Sequence, residues 1–418
     1  MSKPQHAPSV LEAFPVENGE LMIGGVHITR LAARVGQTPF YAYDRAKITE
    51  RVAHLRAHLP EEIHLHYAIK ANPMPAVVQH LAGLVDGFDL ASGGEMRVAL
   101  DTTMSADNIS FAGPGKSEWE IGSAIAAGVT LNLESETELE RAKKLGEQLG
   151  IRPKVAIRVN PDFELKASGM KMGGGPKQFG IDAERVPDVL KHIGEQDLDF
   201  QGFHIFSGSQ NLKPEAIIEA QEKTFALAYR LADSAPGPVK KLNIGGGFGI
   251  PYFPGEQPLD IKPICDKLNE LLIEKNKQLP DAKVIIELGR YLIGEAGVYV
   301  CKIVDRKISR EQVYLVTDGG LHHHLAVSGN FGQIIRKNYP MLIGNKMSEA
   351  DTEQTSIVGL LCTPLDVLAD KMTLPKADIG DLAVALQSGA YGLTASPHLF
   401  LGHPAPIEVL VSTSNLIA

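Results

Sequence analysis

The sequence predicts an α/β chain, with a TIM-like (β/α)8 barrel followed by a C-terminal β-sandwich or β-barrel domain. Three features carry this expectation. From about residue 60 to 290, short apolar runs alternate with amphipathic segments, eight runs in all. After Arg290 the texture becomes β-rich, with few helical patterns. The dinucleotide fingerprint that marks a doubly wound open sheet after its first strand is missing.

In chain order, the stretch Leu21–Tyr43 reads as β, with Leu21-Met22-Ile23 and Phe40-Tyr41-Ala42-Tyr43, and is expected to pack with the C-terminal domain. Barrel strands follow at His64–Lys70, Gly87–Ala91, Ile109–Ala112, Thr130–Leu133, Lys154–Val159, Phe200–Phe206, Lys241–Ile244 and Lys283–Leu288. Helices are read at Pro75–Leu84, Lys116–Ala127, Glu136–Leu149, Ala183–Ile193, Ala216–Leu231 and Ile261–Leu279. In each, apolar residues recur at three- and four-residue spacing, and Gly or Pro marks an end. The last domain carries strands at Val298–Val304, Val313–Thr317, Ser356–Leu361, Leu382–Leu386 and Ile407–Leu410. The expected division is 1–43 as an N-terminal β segment, 44–290 as the barrel, and 291–418 as the C-terminal β domain.

Composition narrows the function. A net charge of -9 and the lack of a basic block argue against nucleic acid or an anionic membrane as partner. Residues 1–16 are polar and Pro-containing, unlike a secretory signal, and no apolar run approaches a bilayer's thickness. Three cysteines, Cys265, Cys301 and Cys362, stand far apart without a CxxC pair, which fits a reducing compartment. A cytoplasmic protein is expected.

Residues able to do chemistry gather at the C-terminal ends of the barrel strands, where such barrels place their sites. Lys70 ends strand one, before Asn72-Pro73 breaks the structure. An amine there, partly desolvated, suits attack on a carbonyl, although a strand-capping lysine would look the same. Asp89 and Ser92 end strand two, Arg158 and Asn160 strand five, His204 strand six, and Glu287 and Arg290 strand eight. Gly245-Gly246-Gly247-Phe248-Gly249 follows strand seven, where converging backbone N–H groups cradle a phosphate. A sharp turn would also explain it. His204 reads either as a satisfied core histidine or as a ring stacked on a flat cofactor. Glu287 either pairs with Arg290 or holds a proton on a ring nitrogen. The run His322-His323-His324, read on a strand, would point to opposite faces without an acidic cluster, so no metal is expected.

Together these groups describe a pyridoxal phosphate site, and the chain resembles the barrel-type (fold type III) pyridoxal-phosphate decarboxylases, the group of the diaminopimelate, ornithine and arginine enzymes. The motifs are Tyr67-Ala68-Ile69-Lys70-Ala71-Asn72, Asp89-Leu90-Ala91-Ser92-Gly93-Gly94-Glu95, Arg158-Val159-Asn160-Pro161, Gly245-Gly246-Gly247-Phe248, Glu287-Leu288-Gly289-Arg290, Cys362-Thr363-Pro364-Leu365-Asp366 and Gly389-Ala390-Tyr391-Gly392. They span nearly the whole chain. The likeness is greatest to the exosortase-A-system-associated branch. The resemblance implies that Lys70 binds the cofactor as a Schiff base and that His204 stacks on its ring. It implies that Gly245, Gly246, Gly247, Ser209 and Tyr391 hold the phosphate, that Asp89, Arg158, Gly289 and Arg290 also bind the cofactor, and that Arg290 and Tyr391 face the substrate. Glu287 would keep the ring nitrogen protonated, favouring decarboxylation over racemisation. Cys362 would protonate the product carbon from the partner subunit of an obligate homodimer.

The pattern breaks at the far end of the substrate pocket. Diaminopimelate decarboxylases carry an acid after the cysteine, where this chain has Thr363. They carry an Arg and a Tyr near the positions of Ala326 and Asn330. An arginine fork grips a carboxylate in a way alanine cannot. The expected substrate is therefore not diaminopimelate. A carrier-protein-linked amino acid is one candidate, and a basic amino acid facing Asp366 is another. Diaminopimelate itself, a racemase, a non-catalytic cofactor-binding protein and a sugar-phosphate barrel are the alternatives. The segment between His204 and Gln210 is two residues longer than the usual motif, so Ser207 and Ser209 compete for the phosphate, with Ser209 favoured. The insert Glu164–Lys177 follows strand five as a candidate lid.

Overall fold

The computed structural model describes residues 6–164, 170–171, 173–333 and 335–412 and forms two compact units. One comprises Val52–Ile250 and Pro258–Tyr291. Its eight parallel strands are Ile63–Ala68, Gly87–Leu90, Ile109–Phe111, Thr130–Leu133, Lys154–Asn160, Asp199–Ile205, Lys241–Gly246 and Lys283–Leu288. They pair in chain order, and the eighth pairs back onto the first, with Leu288 opposite Tyr67, which closes the barrel. Helices cover the strands, and local chemistry sets where they begin. Ser92, Ser117 and Ser135 each accept a hydrogen bond from the N–H three residues on, and Ser117 with Glu120 completes a capping box. The helix Gly93–Leu100 between strands two and three went unread in the sequence because two glycines open it.

The second unit comprises Met1–Arg51, Pro251–Gln257 and Leu292–Ala418. Its centre is the long strand Gly297–Ser309, part of one eight-stranded mixed sheet. The first half of that strand pairs antiparallel with Leu382–Ala385 and with Phe40–Asp44, and the second half with Gln312–Thr317. Ile407–Val411 lies parallel to Phe40–Asp44. Leu21, Ile23, Phe40, Val298, Val300 and Val384 form the core. Two expectations need correcting. Within Leu21–Tyr43, residues Ile28–Val35 form a helix, because Ile28 and Leu31 sit three apart on one buried face and Gly36 ends it at φ +83°. The three histidines lie in a turn, and all three are buried. Among the described residues no helix is long and apolar enough to cross a membrane, and no cluster of three or more His, Cys, Asp or Glu could hold a metal.

Candidate active site

The barrel brings Lys70, Asp89, Arg158, His204, Glu287 and the glycine run to one rim. The first strand stops at Ala68, and Lys70 stands in the single 3-10 turn Ile69–Ala71, anchored by two buried neighbours. Contrary to the expected partial desolvation, the Lys70 side chain is exposed, because the turn lifts it clear of the strand ends. Its ammonium lies 5.7 Å from the centre of the Phe206 ring.

Glu287 is buried on strand eight. His204 Nε2 lies 2.9 Å from Glu287 Oε2, yet among the described residues neither His204 ring nitrogen has an aligned hydrogen-bond partner. Burial alone would raise the Glu287 carboxyl. The His204 contact, then Lys70 and Arg158, outweigh that and hold it below the ordinary carboxylate range. Glu287 therefore stays ionised at neutral pH and can accept a proton-bearing ring nitrogen. On strand two, Asp89 accepts from Ser110 at 2.5 Å and lies 3.3 Å from His66 Nδ1. Arg158 on strand five is buried and donates to Glu134 at 2.9 Å.

Asn243 went unnoticed in the sequence. From strand seven its amide donates to Glu287 Oε2 at 3.0 Å, and its oxygen accepts the Gly245 N–H at 2.8 Å. One side chain thus ties the buried carboxylate to the glycine turn. The signal was a polar residue inside the apolar run Leu242–Ile244. The Gly245 N–H is consequently engaged within the protein, leaving the rest of the turn to meet a ligand. Gly245 and Gly247 have φ of +70° and +79°, and a Cβ on Gly246 would come within 2.0 Å of Glu287 O. Only glycine permits this close edge. Asn243→Leu should orphan the Gly245 N–H and free Glu287 to turn. It is expected to cost about 1–3 kcal/mol in denaturant unfolding and to weaken cofactor binding in an absorbance titration.

Gly289 is pressed against strand one, its would-be Cβ 2.8 Å from Ala71, which places Arg290 at the head of the short helix Arg290–Ile293. Ser209 lies in the two-residue strand Gly208–Ser209, paired antiparallel with Met170–Lys171. That pairing belongs to the insert expected as a lid, of which residues 165–169 and 172 lie outside the described residues.

Cys362, Asp366 and Tyr391 belong to the other unit. Cys362 is exposed. Tyr391 has a left-handed φ of +54°, uncommon for a tyrosine, and its ring lies 6.5 Å from that of Phe331. Asp366 is buried, and its carboxylate accepts the Leu321 N–H at 2.6 Å and the Leu361 N–H at 2.8 Å. Gly320 and Gly359 let both backbones close on it, since a Cβ there would stand 2.4 and 2.1 Å away. Asp366 ties down the start of the Cys362 loop.

Residues 45–294 match the family model described as pyridoxal-dependent decarboxylase, pyridoxal binding domain. The chain is 38% identical to the L-glutamyl-(BtrI acyl-carrier protein) decarboxylase of Niallia circulans, covering 92% of this chain and 90% of that protein. It is 32% identical to the diaminopimelate decarboxylase of Aquifex aeolicus, covering 96% and 92%. The crystal structure of diaminopimelate decarboxylase from M. jannaschii in co-complex with L-lysine superposes with a TM-score of 0.85 at 26% identity, covering 96% and 93%. The donor set at the rim fits the cofactor of that family. It offers an ionised buried carboxylate, an imidazole without an aligned partner beside it, an exposed amine and a glycine edge that admits a close ligand.

Proposed function

The chain belongs to the pyridoxal-dependent decarboxylases, with pyridoxal phosphate as cofactor, and from that premise we propose that it decarboxylates an amino acid tethered to a carrier protein. The observation that carries the substrate assignment is what stands near the positions where diaminopimelate enzymes carry an arginine and a tyrosine: Ala326 is buried, and Asn330 turns its amide to Ser328 Oγ at 2.8 Å. Arg336, the next arginine along, is spent inside the protein. It donates to Ser328 O at 3.1 Å, to Asn338 Oδ1 at 2.9 Å and to Val367 O at 2.8 Å. Neither Ala326 nor Asn330 can offer a free distal carboxylate an arginine's paired fork, whereas a substrate whose far end is bound up in an acyl linkage needs none. The name of the Niallia circulans relative, whose substrate is carrier-linked, supports the same reading.

When bound, the cofactor supplies an electron sink for the electron pair left behind as CO2 departs. The chain's own residues do the rest. Lys70 would hold the cofactor by its amine and give way to the substrate amine. Glu287 would keep the ring nitrogen protonated, and His204 would stack on the ring. Gly246, Gly247, Ser209, Gly289, Arg290 and Tyr391 bind the phosphate, while Asp89 and Arg158 fix the surroundings of the ring. Cys362, from the partner subunit of a homodimer, delivers the proton to the product carbon.

The test is CO2 release from free glutamate, ornithine, lysine and diaminopimelate against the same reaction with carrier-loaded glutamate. The carrier-linked substrate is expected to lead in kcat/KM by at least about 100-fold. Faster turnover of diaminopimelate would replace this assignment with lysine biosynthesis.

A further inference from the structure

Glu134 has no part in any motif named so far, yet it is the most heavily used carboxylate at the rim. It follows strand four directly and is buried. Oε1 accepts the Gly113 N–H at 2.6 Å and Arg158 Nη1 at 2.9 Å, and Oε2 accepts the Gly180 N–H at 3.0 Å. Its own N–H donates to Glu138 Oε2 at 2.7 Å, and the other Glu138 oxygen takes the buried Lys116 ammonium at 2.7 Å. Lys116 also donates to Gly113 O and Asn132 O, at 2.8 and 2.9 Å. The junction therefore joins the loops after strands three and four, strand five, and the backbone where the insert returns at Gly180.

Its bearing on the chemistry runs through Arg158. That guanidinium is enclosed by Glu134 and by the Phe179 ring, 5.0 Å away. A second buried carboxylate, Glu287, lies on the same rim: His204, the register partner of Arg158 on strand six, stands 2.9 Å from Glu287 Oε2. A buried guanidinium seeks a carboxylate, and a pair formed with Glu287 would consume the group meant for the ring nitrogen. Glu134 settles the competition by offering an oxygen at hydrogen-bond distance, already fixed by two backbone N–H groups.

We propose that Glu134 is a positioning residue that holds Arg158 away from Glu287, so that the Glu287 carboxylate stays available to the cofactor ring. The inference rests on the role proposed for Glu287. It predicts an unusual form of rescue. Glu134→Gln keeps the shape but releases Arg158, and holoenzyme titrations should show cofactor affinity reduced about tenfold or more, with kcat reduced as well. Arg158→Met removes the competitor along with its own contacts. The double variant should then bind cofactor within about threefold of Arg158→Met alone, because without the guanidinium Glu134 has nothing to restrain. A role confined to packing the loops would instead make the two losses add. Additive losses overturn the proposal, as does a Glu134→Gln protein that binds cofactor within about twofold of wild type. If Glu134→Gln does not fold, Glu134→Asp takes its place in the same cycle, since the shorter carboxylate cannot reach both Arg158 and Gly180. A wild-type chain that takes up no pyridoxal phosphate would sink the parent reading instead, which keeps the two failures apart.

Discussion

Lys70→Ala is expected to slow decarboxylation by at least about a thousandfold, and to leave a protein in which borohydride no longer links the cofactor to the chain. The loss is chemical and not structural. Lys70 projects from a one-turn 3-10 segment whose neighbours Ile69 and Ala71 are buried, so the backbone is anchored without the lysine side chain. Among the described residues its ammonium makes no hydrogen bond and lies over the Phe206 ring, so the fold loses little when it goes. The unfolding temperature should therefore stay close to that of wild type, while the visible cofactor band disappears. Two measurements check this. Mass spectrometry after borohydride treatment should place the cofactor's mass on the peptide containing Lys70. CO2 release should fall to background in the variant. A wild-type protein trapped at another lysine would remove the centre of the proposed mechanism.

The second large effect concerns stability in acid. His322, His323 and His324 are 0%, 1% and 0% exposed. The ring centres of His322 and His323 lie 3.5 Å apart with the planes tilted by 37°, and among the described residues neither His322 nitrogen has a hydrogen-bond partner. His323 reaches Pro404 O at 2.9 Å and His324 reaches Ser388 Oγ at 3.0 Å. Burial above all pushes the three down to about 3, 4 and 3. In the unfolded chain they return to about 6.5. Where the folded value lies below the unfolded one, the unfolded state takes up protons first. The stabilisation is thus complete above about pH 6.5 and is lost as pH falls toward the folded values near 3 to 4. At pH 5 each histidine should cost about 2 kcal/mol, about 6 kcal/mol together, comparable to the net stability of a domain. Denaturant unfolding between pH 7.5 and 5 should show a steep decline, with about three protons taken up on unfolding. A flat profile over that window would mean that the three rings are hydrated in the folded protein.

Much of the site could be read before folding. The strand ends carrying Lys70, His204, Glu287 and the glycines fall at one rim because a parallel (β/α)8 unit points every strand the same way. The barrel strand boundaries are local too, being set by apolar runs between turn residues, and they agree with the structure to within one or two residues. The residues that went unread share a different property. Asn243 and Glu134 look unremarkable in sequence, since their meaning depends on which strand lies alongside. For Asp366 the motif gives a residue type without its partners, and the fold adds two backbone N–H groups as partners. The helix Ile28–Val35 was hidden between two strands whose apolar runs dominate the window.

The sequence by itself determined the barrel, the cofactor chemistry and the residue types at the rim, because strand and helix periods and turn residues act over a few neighbours. Only the tertiary structure decided which of those groups touch. Barrel closure sets Leu288 opposite Tyr67, and parallel register brings Asn243 to Glu287 and Arg158 to Glu134. Such contacts join residues tens to hundreds of positions apart. A buried charge acquires its role from whatever carboxylate or N–H the fold puts within about 3 Å.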